Sequence, residues 1–145
     1  MHVLIATDAD WVLNEVRSAL EGAGTTFTVC RNGRDVVPAV EAKKPDVAVL
    51  DLPIGSMGGV AATMALRLDE SAGALDHVPV VMLLDRAADI HLARRSGAET
   101  WLVKPLDALS LRRAVDRALH PEAEAAAVES AESETSNDGE PAVAG

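Results

Sequence analysis

Three side chains with chemistry to offer each follow a short apolar run. Asp51 ends Val47-Ala48-Val49-Leu50 and opens the loop Leu52-Pro53-Ile54-Gly55-Ser56-Met57-Gly58-Gly59. Asp8 follows Val3-Leu4-Ile5-Ala6-Thr7, and Lys104 follows Thr100-Trp101-Leu102-Val103 and precedes Pro105. An apolar run cut off by a carboxylate and a turn signal reads as a strand of a parallel sheet, buried on both faces. Open sheets of that kind bind ligands beyond the carboxyl ends of the strands, where the strand order reverses. Two carboxylates meeting there repel by about 4 kcal/mol at ~4 Å and an effective dielectric near 20, so the pair calls for a cation. Mg²⁺ suits them, since it takes hard oxygen ligands, keeps several waters and is often completed by a phosphoryl group. The plain alternative is a structural ion-pair cluster of the same three residues with no phosphoryl chemistry.

The elements that must position these residues alternate. After the first strand, Asp10 is expected to cap a helix in which Val12, Val16, Ala19, Leu20 and Ala23 recur at helical spacing, ended by Gly22 and Gly24. Thr25–Cys30 reads as a β-branched second strand, and a helix opened by Asn32-Gly33 and closed by Pro45 leads to the strand of Asp51. A third helix is expected over Val60–Leu68, a fourth strand over Val78–Leu84, and a short fourth helix capped by Asp85 and stopped by Gly97. Asp107 caps a last helix with Leu111, Val115, Ala118 and Leu119 facing inward, and Pro121 stops it. Five strands alternating with five helices give an α/β fold: a doubly wound parallel sheet covered on both sides.

The composition excludes several function classes. In 145 residues of 48% hydrophobic content, one domain with a normal core fits and a second does not. No stretch approaches the roughly 18 apolar residues of a membrane span, and the N-terminus runs straight into a strand, so a soluble, cytoplasmic protein is expected. Cys30, alone, reads as a small core residue. The net charge of −10 splits into −3 for residues 1–120 and −7 for residues 121–145, which contain no Lys or Arg. No basic face suits nucleic acid, and the acidic tail is expected to be disordered. An FMN phosphate would be repelled by Asp8 and Asp10, despite Trp11 and Trp101 near the crevice. The loop glycines lack the Gly-Lys-Ser/Thr of a P-loop, and the four histidines are too scattered for a metal cluster.

Asp8, Asp51 and Lys104, with Asp51 to Gly59 standing in for an Asp-x-x-x-Pro-x-Met-x-Gly loop, resemble the receiver domain of two-component response regulators over residues 1 to about 119. The resemblance implies a flavodoxin-like, chemotaxis-receiver-like sheet of order 2-1-3-4-5, with a receiver domain at 1–120 and the tail at 121–145. It implies Asp51 as phosphoacceptor; Asp8, Asp51 and the Pro53 carbonyl as Mg²⁺ ligands; and Lys104, before a cis proline, as the contact to the phosphoryl group. A histidine kinase or phosphotransfer protein would be the donor.

Three positions depart from the family pattern. Thr7 stands where a second acid is usual, so Mg²⁺ binding should be weak. Leu84 stands where a Ser or Thr hydroxyl normally follows the phosphoryl group, and Trp101 holds the place of the aromatic switch. The family's usual docking face spans about residues 86–119, where Arg94, Arg95, Arg112, Arg113 and Arg117 suggest a basic partner surface. The expectation is an atypical stand-alone receiver, not an enzyme, acting by protein contact. The alternative is a phosphorylation-independent pseudo-receiver serving as an adaptor or accessory subunit of a larger protein complex.

Overall fold

The computed structural model describes residues 1–121; the acidic tail expected over 121–145 lies, beyond its first residue, outside the described residues. The elements run β1 (His2–Ala6), α1 (Asp10–Leu20), β2 (Thr26–Cys30), α2 (Val36–Ala42), β3 (Val47–Asp51), α3 (Gly59–Ser71), β4 (Val80–Leu84), α4 (Ile90–Ser96), β5 (Thr100–Val103) and α5 (Ala108–Leu119). All strand pairs are parallel, and the order is β2-β1-β3-β4-β5, as the resemblance implied. No helix among the described residues is long and apolar enough to cross a membrane.

The central strands lack polar alternation because helices cover both faces. Val3, Ile5, Val47, Val49, Val81 and Leu83 pack with α1 and α5, while Leu4, Ala6, Ala48, Leu50 and Val80 pack with α2 and α3. Each fully buried aliphatic side chain contributes about 1.5–3 kcal/mol, so this two-layer core fixes strand register and with it the site. His2 is buried on β1 with its ring nitrogens 2.7 and 2.8 Å from the hydroxyls of Thr26 and Thr28. Cys30 is a buried core residue, as expected, and burial, then the Asp35 charge, pushes its thiol pKa up.

Two expected helix caps are corrected. Ala9 is the N-cap of α1 and makes no side-chain cap bond; Asp10 is already helical and pairs with Arg31 at 2.8 Å. Asp85 does not cap α4, which a 3₁₀ turn at Ala87–Asp89 introduces instead. Helix α3 runs three residues beyond the expected end, to Ser71. The Asp107 cap is present, its carboxylate accepting from Ser110 N at 2.8 Å, and Gly97 closes α4 at φ 91°, a conformation glycine adopts without cost.

Candidate functional site

Strand register assembles the site. Ala6 pairs with Leu50, so the residues that follow them, Thr7 and Asp51, lie side by side at the β1/β3 switch point. Leu84 pairs with Val103, which likewise sets Asp85 beside Lys104. Asp51 itself pairs with Leu83 of β4. Helix α3 begins hard against Asp51: a Cβ on Gly59 would meet the Asp51 carbonyl oxygen at 2.9 Å. The loop between them turns through positive φ at Ser56 and Met57, 67° and 152°.

Asp51 is 1% exposed, and both its oxygens have donors. Lys104 Nζ donates to Oδ1 at 2.6 Å and the Thr7 hydroxyl to Oδ2 at 2.7 Å. The same Lys104 ammonium donates to Asp85 Oδ1 at 2.7 Å and lies 5.5 Å from the centre of the Trp11 ring. Burial pulls the Lys104 pKa down, but the hydrogen bonds and charges of Asp51 and Asp85 outweigh it, so the net shift is upward. The Lys104-Pro105 peptide is cis. This arrangement buries the Asp51 carboxylate with an ammonium and a hydroxyl donating to it, and that single ammonium is shared with Asp85.

Asp8 is exposed at the rim, with Oδ2 accepting from Gly55 N at 3.0 Å. Gly55 stands where the family loop has proline, which has no N–H to give; the exchange supplies Asp8 with a donor. Pro53 is exposed in the same loop. Among the described residues no three His, Cys, Asp or Glu side chains converge as a metal-binding group. Asp8, Asp51 and the Pro53 carbonyl are nonetheless hard oxygens of the kind Mg²⁺ takes, so the donor set fits in type, with one carboxylate fewer because Thr7 brings a hydroxyl.

Leu84 is fully buried and packs with Met82 and Ala93 in a cluster that Ile90, Val103 and Trp101 adjoin. The partly buried Trp101 ring has the Arg94 guanidinium 5.4 Å from its centre. The five arginines are exposed, and their neighbours differ. Arg94 and Arg117 flank Trp101, Arg95 lines the α3/α4 groove with Met64 and Leu68, and Arg112 is turned to α1, donating to the Ala19 carbonyl at 3.0 Å. Arg113 stays on α5, its carbonyl accepting from Arg117 Nε at 3.3 Å.

Sequence reasoning missed Asp85 as a site residue. Its signal was present: an acid directly after β4 must neighbour the residue directly after β5 once those strands pair. Reading Asp85 as a helix cap hid that consequence.

The family model described as response regulator receiver domain matches residues 3–116. Protein PilH of Pseudomonas aeruginosa is 29% identical over 118 residues, which is 81% of this chain and 97% of that protein. The transcriptional regulatory protein CseB of Streptomyces avermitilis is 35% identical over 108 residues, 73% of this chain but 43% of that protein, so the chain spans less than half of such relatives. Among solved structures, chemotaxis response regulator CheY4 of Vibrio cholerae aligns with TM-score 0.71 at 24% identity, covering 81% of this chain and 98% of that one. The receiver domain of a sensor histidine kinase from Pseudomonas aeruginosa PAO1, which has a magnesium ion coordinated in its active site cleft, aligns with TM-score 0.70 at 22% identity over 81% of this chain and 96% of its own.

Proposed function

The chain belongs to the response regulator receiver family, and from that premise we propose that residues 1–120 form a phosphorelay receiver with Asp51 as phosphoacceptor and contact with another protein as output. The observation that carries this reading is the buried Asp51 carboxylate at the switch point with the Lys104 ammonium 2.6 Å away. In the transfer, a carboxylate oxygen of Asp51 forms the new bond to phosphorus. The bond broken is the one to the donor's imidazole nitrogen, which leaves and takes up a proton. Lys104 would meet a phosphoryl oxygen of the product, and Thr7 would orient the carboxylate from the β1 side. Asp8, Asp51 and the Pro53 carbonyl would hold Mg²⁺, which when bound offsets charge on the phosphoryl oxygens.

The same site supports weak coupling to the α4–β5–α5 face. Phosphoryl-driven switching needs a group that contacts the two states differently, and the buried Leu84 has no hydroxyl to offer. That observation favours a second reading, in which the protein serves as a phosphorylation-independent adaptor in a larger assembly.

Incubation with Mg²⁺ and a small phosphodonor, followed by intact-mass measurement, tests the first reading. One phosphoryl adduct is expected on the wild type and none on Asp51→Asn. An adduct that persists in the variant would refute Asp51 as the acceptor, and its absence from the wild type would favour the adaptor.

A further inference from the structure

The phosphoacceptor reading leaves Asp85 unexplained, although its carboxylate makes one of the shortest side-chain contacts at the site. Lys104 Nζ is held between Asp51 Oδ1 at 2.6 Å and Asp85 Oδ1 at 2.7 Å, with the Trp11 ring 5.5 Å away. An ammonium has three N–H donors, and two of them here already serve carboxylates. The Lys104 side chain is 10% exposed while that of Asp85 is 52% exposed, so Asp85 forms the outer wall of the site and Lys104 lies beneath it.

We propose that Asp85 is a positioning residue that stands in for an incoming phosphoryl oxygen, holding Lys104 with a permanent internal anion. The inference rests on the reading of Asp51 as acceptor. Two consequences follow from charge. Any phosphoryl group approaching Asp51 must compete with Asp85 for Lys104, and it also meets a third carboxylate, beside Asp8 and Asp51, served by that same ammonium. Both effects slow loading of Asp51 and weaken binding of phosphoryl analogues. Leu84, immediately before Asp85, gives the incoming group no hydroxyl in return.

The test compares wild type with Asp85→Asn, which keeps shape and removes charge, and with Asp85→Glu, which keeps charge. With Mg²⁺ and a small phosphodonor, Asp85→Asn should acquire the adduct on the order of tenfold faster than wild type, the size expected for removing one like charge from a partly buried site. Asp85→Glu should remain within about threefold of wild type, a rescue that a merely structural role would not give. Equal rates in wild type and Asp85→Asn would overturn the proposal while leaving Asp51 as acceptor.

A second readout needs no chemistry at Asp51. The ¹⁵N-detected ammonium signal of Lys104 should be sharp in the wild type and broadened by solvent exchange in Asp85→Asn. If no protein forms an adduct, the acceptor reading fails and this signal still decides the role of Asp85: equal protection in both proteins would overturn it.

Discussion

A single exchange, Thr7 for an acid, changes what Asp51 experiences. The hydroxyl is fully buried and donates to Asp51 Oδ2, so in the absence of a cation it stabilises a carboxylate that a second acid would repel. Thr7→Asp is therefore expected to raise Mg²⁺ affinity by about tenfold, ~1.4 kcal/mol, while lowering metal-free stability by about 1–2 kcal/mol. Calorimetric titration with Mg²⁺ and denaturant unfolding in chelator check the two halves. Unchanged affinity would contradict the expectation that Thr7 weakens metal binding. The raised thiol pKa of buried Cys30 gives a second expectation, that it resists alkylation in the folded protein and reacts only on unfolding.

At the scale of elements, α3, β4 and β5 are tied together by a network at the opposite end of the sheet from Asp51. Arg67 donates to Glu70 at 2.7 Å, to Glu99 at 2.6 Å, and to the carbonyls of Val78 and Gly97, and all three charged side chains are at most 20% exposed. Arg67→Ala would leave two carboxylates without their cation and should cost about 2–3 kcal/mol in denaturant unfolding. Burial alone would raise the Glu70 pKa, but hydrogen bonds from Val78 and His77 and the Arg67 charge bring it below the ordinary carboxylate range. A depressed pKa means that the unfolded chain binds the proton more readily. Glu70 thus adds stability at neutral pH that is lost as pH falls through its folded-state value, and Glu70→Gln should flatten the acid limb of a melting-temperature profile. An unaltered acid limb would contradict this. Much of the fold was legible because the apolar runs at Val3, Val47 and Val80 are continuous and the Gly and Pro breaks fall between them. The meeting of Asp51 and Lys104 was legible, because each stands at the carboxyl end of a strand. Asp85 and the Gly55 to Asp8 bond were not, because both depend on which backbone groups meet once register is set. That Arg95 lines a groove with Met64 and Leu68 while Arg112 donates to the Ala19 carbonyl depends on helix rotation, which a count of arginines does not carry.

For the whole molecule, the buried members of both core layers among the described residues lie within 3–118, and removing residues 122–145 is expected to leave the melting temperature within about 2 °C of the full chain. A larger drop would put the domain boundary elsewhere. If Asp51 takes up a phosphoryl group as proposed, the signal is expected to stop at the β4–β5 edge, because the buried Leu84, in the cluster that Trp101 adjoins, has no hydroxyl to move to the phosphoryl group and vacate space for the ring. Amide and indole resonances recorded with and without Mg²⁺ and beryllofluoride, a phosphoryl mimic, test this most directly. The account predicts clear shifts at Asp8, Asp51 and Lys104 with a nearly still Trp101 indole and little change over residues 86–119; large shifts across that face would contradict it and restore an ordinary phosphorylation switch.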